Sequence, residues 1–215
     1  MVAPATVAAM VGLVIFDVDN VLVRYDRARR MADLAERLGR TADEVTAAVF
    51  GSGLEDAADA GELDADEYLR AVGDHLGTPV PRDVWVAARA AATVADPAMV
   101  ALAAEIAAHT PVALLTNNGS LLRQEFGRIS PAVVAALPGV ELFASGDLGL
   151  AKPDPEVYRT VAARYGVAPA DTVFVDDSPD YVEGARRAGL RAHLFTGRDE
   201  AVAFLVAEGV QLGRT

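Results

Sequence analysis

The chain contains no cysteine among its 215 residues, and it has only three histidines. The missing thiols exclude disulfide bonds, cysteine nucleophiles and cysteine-ligated metals. The scarcity of histidine also argues against a zinc site. His75, His109 and His193 are scattered along the chain, and we expect them to be surface or packing residues.

Basic side chains other than arginine are nearly absent. Of the 19 basic residues, 18 are arginines and one is a lysine, Lys152, while 31 acidic residues bring the formal net charge to −12. This acidic balance argues against a nucleic-acid partner, because phosphate backbones are bound by clustered lysine and arginine. The lone lysine suggests a position at which arginine could not replace it.

The chain also lacks a long hydrophobic segment. Its first 16 residues are apolar but too short to cross a bilayer. A signal peptide would require a basic N-terminal region, and no basic residue precedes Arg24. We therefore expect a soluble, cytoplasmic monomer or homodimer with no membrane partner. The length fits one domain with a modest insertion, and 52% apolar against 23% charged residues predicts a folded core.

Short apolar runs without polar alternation predict parallel strands that are covered on both faces. Such runs lie at residues 12–16, 112–116, 173–176 and 192–195, with a weaker one at 141–145. Helical patterns punctuated by proline and glycine lie between them, at residues 97–109, 156–165 and 179–188. The alternation predicts an α/β fold, a Rossmann-like open parallel sheet with helices on both faces.

One long segment departs from this alternation. Residues 24–95 contain no convincing strand pattern but four helical ones, at residues 28–38, 43–50, 64–76 and 82–92. We predict an α/β catalytic core from residues 1–23 and 96–215, and a small all-helical cap domain from residues 24–95. Ligands of open sheets bind beyond the carboxyl ends of the strands, so an insertion after the first strand would lie over the site.

Polar residues follow the predicted strands, and one lysine precedes a predicted helix. They are Asp17 and Asp19, Thr116 and Asn117, Asp176 and Asp177, and Lys152. Clustered carboxylates repel one another unless a cation lies among them, and an oxygen-only ligand set suits Mg²⁺. With an ammonium, a hydroxyl and helix N-terminal amides, the set predicts a phosphoryl-binding site. Taken singly, each residue has a structural explanation as a turn cap, a helix cap or a surface charge.

Four segments resemble the motifs of the haloacid dehalogenase (HAD) superfamily in the same order: FDVDNVL, LLTNNGS, the lysine of AKPDPEVY, and VFVDDSPDYVEGARRAG. The resemblance covers residues 11–197, and it implies a phosphatase-like hydrolase. The helical insertion resembles the cap that this superfamily inserts after its first strand. One departure is Asn20-Val21, where the commonest first motif has Gly-Thr; this leaves the subfamily open.

The resemblance implies a role for each acidic motif residue. Asp17 would be the nucleophile that forms an aspartyl-phosphate, and Asp19 would be the general acid and base. Mg²⁺ would be held by Asp17, the backbone carbonyl of Asp19 and the Asp176/Asp177 pair, with Asp177 the better candidate for the direct ligand.

The remaining motif residues would bind the phosphate. Thr116, the Asn117 amide and Lys152 would contact phosphoryl oxygens, and Lys152 would also steady Asp17. The expected activity is a Mg²⁺-dependent phosphatase that acts on a small phosphate ester, a sugar phosphate or a nucleoside monophosphate.

Other functions stay open. A phosphosugar mutase would share Asp17 and Asp19. A haloacid dehalogenase would need neither a metal nor Asp19, and a non-catalytic phosphate-binding module is expected to lack one of these aspartates or Lys152. In the insertion, we expect Trp85 to be a packing residue and the acidic residues from 55 to 67 to form a solvated helix face and loop. Candidate substrate contacts there are Tyr25, Phe50 and Leu54.

Overall fold

The computed structural model describes residues 11–213, so the first ten residues and the last two of the predicted core lie outside the described residues. Its strands are β1 (Leu13–Phe16), β2 (Val23–Tyr25), β3 (Thr93–Ala95), β4 (Val112–Thr116), β5 (Glu141–Ala144), β6 (Thr172–Asp176) and β7 (Arg191–Leu194). Five of them form a parallel sheet in the order β5-β4-β1-β6-β7. The predicted α/β class is confirmed, and each predicted strand lies within one residue of its observed bounds.

Between residues 11 and 213, twelve α-helices accompany the strands. They are α1 (Arg27–Leu38), α2 (Ala42–Thr46), α3 (Leu54–Asp59), α4 (Ala65–Leu76), α5 (Arg82–Ala91), α6 (Pro97–Ala107), α7 (Ser120–Ile129), α8 (Pro131–Ala136), α9 (Ser145–Leu148), α10 (Pro155–Arg164), α11 (Pro179–Ala188) and α12 (Arg198–Ala207). In the described part of the chain, none is long and apolar enough to cross a membrane.

The sheet is buried on both faces, as the continuous apolar runs predict. Along β1, Leu13 and Ile15 pack into the core on one face, and Val14 and Phe16 pack into the core on the other. The second of these cores continues into helices α1, α4 and α5. The helices between β2 and β3 therefore share a hydrophobic core with one face of the sheet.

The prediction that residues 24–95 contain no strand is wrong at both ends. Strands β2 and β3 pair antiparallel, with Val23 opposite Ala95 and Tyr25 opposite Thr93. Three residues are too few to give a periodic pattern, and the partners are some 70 positions apart in the chain, so local sequence carries no signal for this pairing. We call residues 27–91 the helical segment; this two-stranded ribbon closes it at its base.

Inside the helical segment, the second predicted helix is split and a further helix is present. The stretch predicted as one helix is α2 followed by a π-helical turn at Ala47–Gly51. Helix α3 follows Gly53, whose φ of 79° lies in the left-handed region that glycine adopts without strain. It carries part of the acidic run that we expected to be solvated.

Candidate active site

The carboxyl ends of the three central strands bring the predicted aspartates together. Strand β1 lies between β4 and β6, so Asp17, Thr116 and Asp176 meet at one edge of the sheet. All three are buried, and the Asp176 side chain has no exposed area. The Asp17 amide donates to the carbonyl oxygen of Val175 at 2.9 Å, which extends the β1–β6 pairing by one residue. Parallel pairing alone therefore delivers the carboxylates to one point.

Lys152 connects these carboxylates. Its Nζ lies 2.6 Å from Asp17 Oδ1, 2.6 Å from Asp176 Oδ2 and 3.2 Å from the carbonyl oxygen of Leu115. An ammonium has three donors, and all three are used here. Burial opposes the charged form, but the Asp17 and Asp176 carboxylates outweigh it and raise the pKa of Lys152.

Asn117 holds the backbone of Lys152. Its Nδ2 donates to the Lys152 carbonyl oxygen at 2.7 Å, and its Oδ1 accepts from the Lys152 amide at 2.9 Å. The side-chain amide is thus engaged on both sides. The predicted role of Asn117 in binding phosphoryl oxygens stays a prediction, and it can concern only the backbone N–H of that residue.

Asp17, Asp176 and Asp177 could hold a metal ion, because each offers a carboxylate oxygen within 4.8 Å of the others. Burial, together with the charges of Asp176 and Asp19, outweighs Lys152 and raises the pKa of Asp17 to about 7. Burial and the Asp176 charge likewise raise the pKa of Asp177. One ammonium therefore does not compensate all three carboxylates, and a hard divalent cation fits this oxygen donor set.

Within this cluster, Asp176 and Asp177 differ in how far their carboxylate oxygens are already hydrogen-bonded. Asp176 accepts from Lys152 through Oδ2 and from the Ser178 amide through Oδ1, at 2.8 Å. Asp177 is exposed and lines the cavity described below. This difference favours Asp177 as the direct ligand.

Asp19 is bound by two residues for which the sequence predicted no role. Arg89 Nη2 lies 2.9 Å from Asp19 Oδ1 and 2.6 Å from Oδ2. Asn118 Nδ2 lies 3.4 Å from Asp19 Oδ2 and donates to Thr116 Oγ1 at 2.7 Å. Asn118 lies within the motif LLTNNGS, next to the predicted site residue Asn117. Arg89 is one of 18 arginines, and nothing local distinguishes it.

The structure also distinguishes the two interpretations of Thr116, as a helix cap or as a site residue, and it explains the presence of Asn20. Helix α7 is capped by Gly119 rather than Thr116, so Thr116 is not a helix cap and its hydroxyl faces the site. Asn20 has a φ of 63°, and its Oδ1 accepts from the Tyr25 amide at 3.3 Å. Asparagine tolerates this left-handed conformation, which accounts for its presence where the commonest motif has glycine.

A cavity of about 470 Å³ opens over the aspartates. The helical segment and the residues just before it contribute Tyr25, Phe50, Glu55 and Asp59 to its lining. Leu54, the third predicted contact, is instead partly buried against the hydrophobic core.

Trp85 is a packing residue, as predicted. It is buried and meets the Tyr68 ring edge-on, with 6.4 Å between the ring centroids. The histidines also behave as expected: His75 and His109 are exposed, and His193 stacks on Phe204 at 4.8 Å.

Part of the acidic run is not solvated. Glu55 Oε1 lies 2.5 Å from Nη1 of Arg30, an arginine that is itself buried, and Glu55 also accepts a hydrogen bond from Tyr68. Burial alone would raise the pKa of Glu55, but Arg30 and Tyr68 hold it below its ordinary value. Asp59 differs, because burial and the Glu55 charge raise its pKa to about 8.

A family model for haloacid dehalogenase-like hydrolases matches residues 11–189, which is most of the chain. The chain belongs to this family. Among structures, the HAD family enzyme BT-2542 from Bacteroides thetaiotaomicron, in complex with magnesium and inorganic phosphate, aligns with a TM-score of 0.75. The alignment covers 90% of this chain and 99% of that one at 20% identity, which shows a shared fold.

Several relatives within this HAD family are named as phosphatases. A glyceraldehyde 3-phosphate phosphatase from Methanopyrus kandleri is 30% identical over 203 residues, covering 84% of this chain and 82% of that protein. Phosphatase MT3486 from Mycobacterium tuberculosis is 45% identical over 83 residues, which is 39% of this chain and 37% of that protein. A phosphoserine phosphatase from Thermus thermophilus is 40% identical over 82 residues, 38% of this chain and 32% of that protein. The matches thus span about a third of the last two relatives.

Proposed function

We propose that this chain is a Mg²⁺-dependent phosphatase that hydrolyses a small phosphate ester through an aspartyl-phosphate intermediate. The observation that carries the proposal is the placement of Asp17, a buried carboxylate held by Lys152, beside Asp176 and Asp177 at the floor of a cavity. The relatives named as phosphatases support the same reaction type.

In the first step, an oxygen of Asp17 attacks phosphorus while the ester P–O bond breaks. The leaving oxygen takes a proton from Asp19. In the second step, Asp19 takes a proton from a water molecule, whose oxygen attacks the phosphorus of the aspartyl-phosphate. Inorganic phosphate leaves and the Asp17 carboxylate is restored.

The other site residues bind the phosphate group and compensate negative charge. Lys152 places one positive charge between Asp17 and Asp176, so an incoming phosphate dianion meets less repulsion. The Thr116 hydroxyl accepts from Asn118, which leaves its hydrogen to donate to a phosphoryl oxygen. Asp17, the backbone carbonyl of Asp19 and Asp177 would hold Mg²⁺, which would supply positive charge against the negative charge of the phosphoryl oxygens.

The position of the helical segment favours a small substrate. It contributes one side of a cavity of about 470 Å³, a volume in the range of small-molecule sites. We propose that this segment is the cap domain and that the sugar or nucleoside part of the substrate lies against Tyr25 and Phe50.

The test is phosphate release from 4-nitrophenyl phosphate and from a panel of sugar phosphates and nucleoside monophosphates. We expect turnover with Mg²⁺, none with EDTA, and a loss of at least about 10³-fold in Asp17→Asn. Asp33→Asn, which removes a carboxylate outside the site, is the matched control and should keep its activity. Activity undiminished by EDTA or by Asp17→Asn would refute the mechanism. Isomerisation of a hexose phosphate without net phosphate release would instead indicate the mutase.

A further inference from the structure

Arg89 belongs to the helical segment, yet it binds the aspartate that the proposed reaction uses as acid and base. Its Nη2 contacts both carboxylate oxygens of Asp19, at 2.9 and 2.6 Å, across 70 positions of sequence. The arginine is 1% exposed, whereas the Asp19 side chain is 19% exposed and lines the cavity. One buried cation therefore reaches from the helical segment into the site.

Arg89 is itself held firmly. Its guanidinium stacks over the Tyr25 ring, with the Cζ atom 3.6 Å from the ring centroid. Its backbone carbonyl accepts from Thr93 Oγ1 at 2.8 Å, near the end of α5. Tyr25 and Thr93 are partners in the ribbon that closes the helical segment. The arginine is thus anchored to both strands of the ribbon at the base of the segment.

Burial of Arg89 is not an effective way to stabilise the fold. Arg89 Nε and Nη1 are buried and have no hydrogen-bond partner in the described part of the chain. Burial of a guanidinium with unpaired donors costs free energy, and apolar replacement of such groups is often neutral or stabilising. The position of Arg89 therefore calls for a reason in the chemistry of the site.

Asp19 has little else to orient it. It lies in the loop that follows β1, and among residues 11–213 its side chain has one other hydrogen bond, a long one from Asn118 at 3.4 Å. Without Arg89, the carboxyl group could rotate away from the leaving oxygen of a bound ester.

We propose that Arg89 is a positioning residue that holds the Asp19 carboxyl group in the orientation needed to deliver its proton to the leaving oxygen. The inference rests on the proposed phosphatase function. In a protonated Asp19, the carbonyl oxygen still accepts from Arg89 while the hydroxyl donates to the leaving oxygen, so the contact serves both protonation states. An ester whose alcohol is a poor leaving group depends most on this proton, and an ester with an acidic phenol depends least.

The experiment compares kcat/KM across a series of phosphate monoesters, from 4-nitrophenyl phosphate to simple alkyl phosphates, for the wild type and Arg89→Met. This ratio reports the steps up to departure of the leaving group. We expect kcat/KM to fall about 100-fold for alkyl phosphates but less than about tenfold for 4-nitrophenyl phosphate. The thermal midpoint should stay near that of the wild type. In an Asp19→Asn background, Arg89→Met should add no further dependence on the leaving group.

Arg30→Met is the matched control, because it removes a second buried arginine of the helical segment that pairs with Glu55 and does not touch Asp19. Any loss in Arg30→Met should be equal for all esters. An equal loss for all esters in Arg89→Met would overturn the positioning role. If Arg89→Met does not fold, Arg89→Gln is taken through the same series with the same two outcomes. A wild type that hydrolyses no ester would refute the proposed function itself.

Discussion

At the scale of the residue, the ammonium of Lys152 shows why one lysine persists in an arginine-rich chain. Its Nζ contacts two carboxylates and one carbonyl oxygen, all within 3.2 Å. A compact ammonium can direct three donors to three converging acceptors, whereas the planar fork of arginine directs its donors outward and needs more room. The residue is 3% exposed, so there is no solvent space for a larger head group.

We therefore expect Lys152→Arg to lose activity while the protein stays folded. The larger guanidinium should displace Asp17 or Asp176, costing about 100-fold or more in kcat/KM and about 1–3 kcal/mol of stability through overpacking. Phosphate release and thermal unfolding of the variant measure the two effects. Arg37→Lys, a swap of the opposite kind at an exposed ion pair, should change neither. Near-normal turnover in Lys152→Arg would show that the solitary lysine is accidental.

At the scale of the element, helix α11 fixes the loop that carries Lys152. A Cβ at Gly184 on this helix would lie 2.9 Å from Pro153 Cα and closer still to the Pro153 carbonyl oxygen. Arg187 Nη2 donates to that oxygen at 3.3 Å. A glycine inside a helix normally costs about 1 kcal/mol relative to alanine, and here the close approach of Pro153 explains it.

Gly184→Ala should accordingly move the 152–154 loop away from α11. We expect a loss of about 1–3 kcal/mol in the free energy of unfolding, and a fall in kcat larger than any change in KM, because Lys152 shifts relative to Asp17. Denaturant unfolding and steady-state kinetics measure both. Gly127→Ala on α7 is the control, since a Cβ there meets no atom within 4 Å. It should stabilise the protein by about 0.5–1 kcal/mol. Unchanged stability and kcat in Gly184→Ala would contradict this role of the helix.

At the scale of the whole molecule, the helical segment meets the α/β part over backbone as well as side chains. A Cβ at Gly146 would lie 2.5 Å from the Ala58 carbonyl oxygen, and one at Gly61 would lie 2.6 Å from the Gly146 carbonyl oxygen. Arg82 and Arg128 add ion pairs across the same junction, to Glu125 at 3.0 Å and to Asp83 at 2.8 Å. Asp59 is partly buried beside this junction, and its pKa is raised to about 8.

The Asp59 carboxyl should make stability depend on pH. In the folded protein Asp59 keeps its proton up to about pH 8, whereas in the unfolded chain it loses this proton near pH 4. Between these values the folded state binds more protons, so this group lowers the free energy of unfolding as pH rises. Asp59→Asn has no such proton to lose. Its thermal midpoint should therefore rise relative to the wild type between pH 5 and pH 8.

Asp56→Asn on the same helix is the control, because Asp56 is exposed and should show no such trend. If the difference in thermal midpoint between the wild type and Asp59→Asn stays constant from pH 5 to pH 8, Asp59 is ionised throughout this range.

Local features of the sequence were enough to predict the sheet and the residues at its edge. Continuous apolar runs predict buried parallel strands, and such strands bring Asp17, Thr116 and Asp176 to one edge whatever the details of packing. The lone lysine was conspicuous by composition, and its side chain lies beside Asp17 in the structure. These predictions succeed because their information lies within a few residues or in one repeated pattern.

Only the tertiary structure decided which groups act on those residues from a distance. Arg89 reaches Asp19 from 70 positions away, Asn117 turns its amide to the Lys152 backbone, and β2 pairs with β3 across the helical segment. Glu55 and Asp59 read as solvated acids in the sequence, yet burial and a neighbouring arginine push their pKa values in opposite directions. Such contacts and desolvation arise from packing between distant segments, and no local periodicity encodes which arginine among 18 will meet which carboxylate.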